Sequence, residues 1–242
     1  MTETAAKIRL FVDAPLAAER VLALDRGQAH YLGTVMRLAP GARIRVFNGR
    51  DGEWIAEIAR IDRRGALAVA RSPSAPQALP PDLWLLFAPI RRERTQLIVE
   101  KATELGVRRL VPVLTRRTQP ERIRPEKLRA HIIEAAEQCG GTFLPELDAP
   151  RPLTALMADW PGGRGLVFCD ESGGAPPLVE VAPPAPAAVL IGPVGGFDPE
   201  EAAFLRALPF CRPATLGPRI LRADTAAVAA LALWQAAQGD WR

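Results

Sequence analysis

Leu190-Ile-Gly-Pro-Val-Gly-Gly-Phe197 and Leu216-Gly-Pro-Arg-Ile-Leu-Arg-Ala-Asp-Thr225 are the stretches that decide how this chain folds. Each follows an apolar run and leads into a helical pattern. Gly192-Pro-Val-Gly-Gly196 carries little side chain, so a ligand can approach its backbone N–H and C=O groups closely. The second stretch ends in Asp224-Thr225 at a helix start, where free N–H donors are available. Taken singly, each reads as a tight turn between a strand and a helix. As a pair about 25 residues apart, with this spelling, they are far more specific.

Working outward, the same texture extends back to residue 82. Leu83-Trp-Leu-Leu-Phe-Ala88, Leu110-Val-Pro-Val-Leu114, Leu166-Val-Phe-Cys169 and Ala188-Val-Leu-Ile191 are continuous apolar runs, as expected of strands covered on both faces. Helices are predicted over 95–105, closed by Gly106, and over 125–138, ended by Gly140-Gly141. Asp198-Pro-Glu-Glu201 combines an Asp N-cap, Pro at the first position and Glu at the third. Asp224 or Thr225 caps a last helix running to Gln238. Such alternation predicts an α/β fold, a parallel sheet with helices on both sides. Ser72-Pro-Ser-Ala-Pro-Gln-Ala-Leu-Pro-Pro81, uncharged and rich in proline, reads as an interdomain linker. Before it the chain alternates with period two in Arg43-Ile-Arg-Val-Phe47 and again in Glu53-Trp-Ile-Ala-Glu-Ile-Ala-Arg60, with Asn48-Gly49 and Asp51-Gly52 as turns. A short helix over 28–38 and a small barrel of about 65 residues fit these lengths. The domains expected are therefore 1–72, a linker over 73–81, and 82–242.

With 242 residues, 48% of them apolar, the chain can bury a substantial core. No apolar run approaches the roughly 20 residues needed to span a bilayer. Met1-Thr-Glu-Thr-Ala-Ala-Lys7 lacks the basic start and apolar core of a secretory signal, so a cytoplasmic protein with no membrane partner is expected. Cys139, Cys169 and Cys211 show no metal spacing and read as buried free thiols; with only His30 and His131 beside them, no metal site is expected. The net charge of +4 is uneven. Residues 88–130 carry twelve Lys or Arg against five Glu, whereas residues 166–242 carry five basic against eight acidic groups. All basic residues except Lys7, Lys101 and Lys127 are arginine, whose planar fork suits phosphate, although GC-rich coding would give the same bias. The split suggests a polyanionic partner held away from a separate small-molecule site.

Several standard sites are absent. The chain has no P-loop, no Gly-x-Gly-x-x-Gly after a strand and no Gly-x-Ser-x-Gly elbow, which removes most support for kinase, dinucleotide and hydrolase readings. The two loops resemble those of the SPOUT methyltransferases, and the chain as a whole is similar to the bacterial 16S ribosomal RNA uridine-N3 methyltransferases. The resemblance rests on Arg9-Leu-Phe11, His30-Tyr-Leu-Gly-Thr-Val-Met-Arg-Leu38, Gly41, Phe47-Asn-Gly49, Gln96, Glu100-Lys-Ala-Thr-Glu-Leu-Gly-Val107, Thr115-Arg-Arg117, Glu134-Ala-Ala-Glu-Gln138, Pro145-Glu146 and the loops themselves. It implies a small N-terminal PUA-like RNA-binding β-barrel followed by a C-terminal trefoil-knotted domain. That domain would bind S-adenosylmethionine in a bent conformation and form a homodimer with its active site near the subunit interface.

By the same resemblance the cofactor lies against Leu190, Ile191, Gly192, Pro193, Gly195, Gly196, Leu216, Gly217, Ile220, Leu221 and Thr225. Methylating uridine N3 requires that its proton be removed or shared, by a carboxylate or beside an arginine that stabilises the anionic base. Arg222 and Asp224 are the candidates, against the plainer readings of a surface arginine and a helix cap. Transfer from a sulfonium needs no metal, and positioning can supply much of the acceleration. Arg9 and Arg37 are expected on RNA phosphates, against the plainer reading of solvated barrel arginines, with Arg91, Arg92, Arg94, Arg116 and Arg117 sharing the RNA role. His30 reads as structural or as an RNA contact, and Glu100-Lys101 with Glu104 as helix-face ion pairs.

Three departures stand out. Val194 replaces the glutamate usual in the first loop, Asp224 is shorter than the usual glutamate in the second, and Gly140-Gly-Thr-Phe143 offers no arginine after Glu137-Gln138. The leading function is thus N3 methylation of a uridine in 16S ribosomal RNA, with the assembled small subunit as a possible substrate. The alternatives are a ribose 2′-O methyltransferase of the same class and a non-catalytic RNA-binding assembly protein.

Overall fold

Period-two alternation builds the first of two compact units. A computed structural model describes residues 6–119 and 124–242, so residues 1–5 of the expected first domain lie outside the described residues. The first unit comprises Met1–Leu79 with Ala136–Phe143, and the second Pro80–Ala135 with Leu144–Arg242. In the first, β1 (Arg9–Phe11), β2 (Val21–Leu24), β3 (Arg43–Phe47), β4 (Glu53–Asp62) and β5 (Gly65–Ala75) form one sheet in the order β1-β3-β4-β5-β2, with only β1 and β3 parallel. Ile44, Val46, Ala56, Ile58, Ala68 and Ala70 alternate into its core. The β4–β5 register shifts at three places, which bends both long strands as a barrel-like sheet needs. Between β3 and β4, Asn48 Oδ1 accepts the N–H groups of Arg50 (3.1 Å) and Asp51 (2.9 Å). Gly52 lies at φ +74°, and a Cβ there would sit 2.5 Å from the Ala75 carbonyl oxygen, so only glycine fits this turn.

Two sequence expectations need adjustment here. Strand β5 runs through Ser72-Pro-Ser-Ala75, so the first three residues of the expected linker are strand. The helix expected over 28–38 begins earlier and divides. Asp25 and Gln28 form a capping box for α1 (Arg26–His30), and a π-helical turn follows over Tyr31–Val35. Arg37 then takes a left-handed φ of 55°, a conformation few non-glycine residues adopt.

The second unit is an α/β layer built on β6 (Leu83–Phe87), α2 (Arg92–Glu104), β7 (Arg109–Leu114), α3 (Pro125–Cys139), β8 (Glu146–Leu147), β9 (Arg151–Pro152), α4 (Leu153–Ala158), β10 (Gly165–Cys169), α5 (Leu178–Val181), β11 (Ala187–Ile191), α6 (Pro199–Ala207), β12 (Cys211–Ala214) and α7 (Ala223–Gln238). The last turn of α3 counts with the first unit. The sheet order is β12-β10-β11-β6-β7-β8, every pair parallel, with β9 also on β7. Successive strand residues feed opposite cores, as a sheet covered on both faces requires. Leu85, Phe87, Val189 and Ile191 face one cluster with Leu231 and Trp234, whereas Leu86, Ala188 and Leu190 face another with Phe197 and Leu205. Trp234 is fully buried, and its indole N–H donates to the Pro183 carbonyl at 3.0 Å. On α2, Lys101 Nζ lies 2.8 Å from both Glu100 and Glu104; hydrogen bonds to Glu100 and then Glu104 raise its pKa, as the helix-face reading expects.

The thiols do not all share one environment. Burial pushes Cys169 and Cys211 up to about 12, which keeps them protonated and inert. Cys139, expected to be buried, is exposed at the end of α3. Among the described residues no helix is long and apolar enough to cross a membrane.

Candidate cofactor pocket and active site

Parallel strands place their following loops along one edge, and in open α/β sheets ligands bind in the crevice outside those carboxyl ends. Here β6, β10, β11 and β12 are neighbours, so residues 88–91, 170–177, 192–198 and 215–222 gather at that edge. The pairing extends past β6, where the Ala88 N–H donates to the Ile191 carbonyl at 3.0 Å. Thr95 Oγ1 then both accepts from Ile90 N (3.0 Å) and donates to Ile90 O (2.9 Å), fixing the turn into α2.

The loop after β11 is held from several sides. A turn closes it, with Gly196 N–H donating to Pro193 O at 3.0 Å. The buried Phe197 ring packs so close to Gly192 that a Cβ there would lie 2.6 Å from it. Asp198 caps α6 in a capping box with Glu201, as the sequence predicts. Arg117 donates to Gly195 O (2.8 Å), and Arg116 bridges Asp198 (2.9 Å) and Glu200 (2.5 Å), while its backbone N–H donates to Glu201 (2.9 Å). The hydrogen bond to Glu200 and its charge raise the Arg116 pKa further. These two arginines, expected on RNA, therefore stabilise the glycine loop and the start of α6.

Sequence reading missed a third loop, 170–172. Arg206 of α6 donates to Asp170 Oδ2 from Nε (2.8 Å) and Nη2 (2.5 Å), and to Ser172 Oγ (2.8 Å). Burial alone would raise the Asp170 carboxyl, but hydrogen bonds from Ser172 and then Arg206 outweigh it and hold it below the usual carboxylate range. Next to it, Glu171 Oε1 accepts the Phe197 N–H at 2.9 Å, and a Cβ at Gly196 would collide with that oxygen. An isolated Glu in a loop gives no sequence signal for such a contact, 26 residues distant.

The loop after β12 is looser. Its start is anchored, with Thr215 N–H donating to Pro176 O (2.9 Å) and Thr215 O accepting the Leu178 N–H (3.1 Å); beyond that Thr215 Oγ1 bonds Gly217 at 3.2 Å, and Ile220 is 85% exposed. Arg222 is the N-cap of α7, exposed and without a side-chain cap bond. Asp224 is the second residue of the helix rather than its cap, which corrects the capping alternative. It is buried, its Oδ2 pairs with Arg94 of α2, and its Oδ1 accepts the Thr225 N–H at 3.0 Å. The structure thus joins Arg94, expected on RNA, to Asp224, expected in catalysis.

Arg9 requires a plain correction. It is 8% exposed and lies in the first unit's core, over the Phe47 ring at 4.6 Å. It pairs with Glu53 at 2.5 Å and donates to the carbonyls of Ala136 (2.6 Å), Glu137 (3.0 Å) and Gly141 (3.1 Å). A guanidinium so saturated caps a helix end and cannot reach RNA phosphate. The glycines after Glu137-Gln138 thereby supply a carbonyl to an arginine from elsewhere in the chain. His30, Arg37, Arg91 and Arg92 are exposed.

Leu190 and Ile191 bury their side chains in the two cores, which leaves backbone and neighbouring loops to meet a ligand. The loops fit S-adenosylmethionine in kind. Gly195 (φ +94°) and Gly217 (φ +109°) have open space where a Cβ would stand, so a ligand can approach their backbone groups closely.

Comparison with known proteins agrees. The RNA methyltransferase domain family matches residues 77–235, and the RNA methyltransferase PUA domain family matches residues 24–70. A SPOUT-like parallel-sheet α/β unit thus follows an N-terminal PUA domain. A ribosomal RNA small subunit methyltransferase E of Synechocystis sp. is 31% identical over 231 residues, covering 93% of this chain and 76% of that protein. One of Rickettsia conorii is 26% identical over 229 residues, covering 93% of each. A Legionella pneumophila protein described as a methyltransferase, and solved with the cofactor S-adenosylmethionine bound, is 31% identical with a TM-score of 0.84, covering 96% of this chain and 98% of that one. Kinship sustained over both units, rather than over the sheet alone, places the chain in the ribosomal RNA small subunit methyltransferase E family.

Proposed function

We propose that this protein transfers a methyl group from S-adenosylmethionine to N3 of a uridine in 16S ribosomal RNA. The observation that carries the reading is the Arg94–Asp224 pair beside Arg222, at the sheet edge that also presents the glycine loop. The cofactor supplies an electrophilic methyl group. The chain must hold the base in line and manage the N3 proton. Asp224 is the candidate acceptor: its carboxylate has about four lone-pair sites, and the two hydrogen bonds it accepts leave room for another. Loss of the proton spreads negative charge over the uracil oxygens, and the exposed Arg222 is suited to stabilise it. Gly192, Pro193, Gly195, Gly196, Leu216, Gly217, Ile220, Leu221 and Thr225, with the ends of Leu190 and Ile191, form the cofactor surface in this reading.

RNA affinity is assigned to exposed basic groups of each unit: His30 and Arg37 in the first, Arg91 and Arg92 in the second. The second unit is proposed to carry the trefoil knot and to form a cytoplasmic homodimer acting on the small subunit. In support, the chain leaves β12 at the sheet margin and returns so that α7 packs on α2 and α5. Ile220 and Val194, 85% and 73% exposed, are apolar groups that a second copy would cover.

The test uses the purified protein, radiolabelled cofactor and small subunits lacking the modification, followed by digestion of the RNA to nucleosides. N3-methyluridine is the expected product, and R222A and D224N are expected to abolish its formation. A 2′-O-methyl nucleoside would redirect the activity to ribose. RNA binding without transfer would make this an assembly protein.

A further inference from the structure

We propose that Glu171 is a cofactor-recognition residue, placing its carboxylate against the positively charged amino-acid end of S-adenosylmethionine. The inference rests on the function proposed above, and it concerns a loop that neither motif contains. Glu171 follows β10 and reaches the adjacent glycine loop, where Oε1 accepts the Phe197 N–H at 2.9 Å. Its carboxylate lies against Gly196, where an added Cβ would displace it. That contact fixes one oxygen and leaves the other to a ligand.

Charge pairing singles this residue out. Around the start of α6, Asp170 is neutralised by Arg206, and Asp198 and Glu200 by Arg116. Glu201 accepts the backbone N–H groups of Arg116 (2.9 Å) and Asp198 (3.3 Å). Among the described residues, no salt bridge satisfies Glu171, although it is exposed and hydrogen-bonded to the glycine loop. A carboxylate without a cation, fixed beside a loop of neutral backbone groups, attracts a cationic ligand and favours it over a neutral one. S-adenosylmethionine carries both a sulfonium and an α-ammonium at one end. Val194 supplies no charge of its own to the loop, which leaves Glu171 as the unpaired acid there.

The experiment is calorimetric titration of the full chain and of E171Q with S-adenosylmethionine, S-adenosylhomocysteine and 5′-methylthioadenosine. Glutamine keeps an oxygen to accept the Phe197 N–H, so the loop is retained while the charge is lost. E171Q is expected to bind S-adenosylmethionine about tenfold more weakly, S-adenosylhomocysteine less severely so, and 5′-methylthioadenosine, which lacks the amino-acid end, as the parent does. Equal binding of S-adenosylmethionine by parent and E171Q overturns the proposal. So does an equal loss for all three ligands, which would mean that Glu171 only shapes the loop. A parent that binds none of them sinks the cofactor reading and this inference with it.

Discussion

The two glycine-bearing loops look alike in sequence and differ in how they are held. The loop after β11 is tied by Arg116, Arg117, Glu171 and the Phe197 ring, all from outside its own turn or at its far end. Among the described residues, the loop after β12 is tied at its start, where Thr215 pairs with the backbone of Pro176 and Leu178 and with Gly217, and its Ile220 side chain is in solvent. A surface held in place before the ligand arrives spends little ordering entropy on binding, whereas a loose one orders at that moment. The first loop is thus a preformed wall, and the second closes on what it meets.

Substituting the glycines should expose that difference most strongly. G196A combines a left-handed φ of +72° with a collision against Glu171, whereas G217A has φ +109° but open space. Each incurs backbone strain of about 1–3 kcal/mol, and only G196A adds a steric conflict. Calorimetry should show cofactor binding lost in G196A and merely weakened in G217A; equal losses would erase the distinction. A smaller effect is expected where the second loop meets its helix. R94A leaves the buried Asp224 without its cation, but Arg94 is 41% exposed, so screening limits the cost to about 1–2 kcal/mol. Thermal denaturation should show that loss in R94A and little change in R222A. The smallest effect sharpens the comparison by pH. Asp170, whose folded pKa is lowered, contributes stability that is complete above the ordinary carboxylate pKa and disappears as pH falls through about 4 and below. Acid titration of R206A should show a smaller component, because Arg206 helps to hold the proton off while the hydrogen bonds from Ser172 remain.

How much of this was legible beforehand depends on range. The capping box of Asp198 and Glu201, the turn at Asn48 and the doubly covered strands are encoded within a few residues, and each stands where the sequence implies. The Arg94–Asp224 pair spans 130 positions and Arg9 reaches from β1 to Ala136, 127 positions away. Nothing local separates an arginine bound for RNA from one bound for a buried glutamate, and the reading of Arg9 failed for that reason. Arg116 and Arg117 were singled out for charge, yet their placement follows from β7 ending near the glycine loop, which is a property of sheet order. Glu171 left no trace in the sequence because its partner is a backbone N–H.

The pairing of β6 with β11 bears on how the molecule is made. Leu83 aligns with Ala187, so the central strand pair of the sheet joins segments separated by most of the second unit. At ribosomal speeds β6 waits roughly 5–20 s for β11 to be synthesised. During that interval its Leu-Trp-Leu-Leu-Phe run has no partner on that side. Such long-range parallel pairing is intrinsically slow to form and prone to aggregation. The loops that follow β11 and β12 are the last to be placed, so newly made chains should acquire cofactor affinity only after this late closure of the sheet.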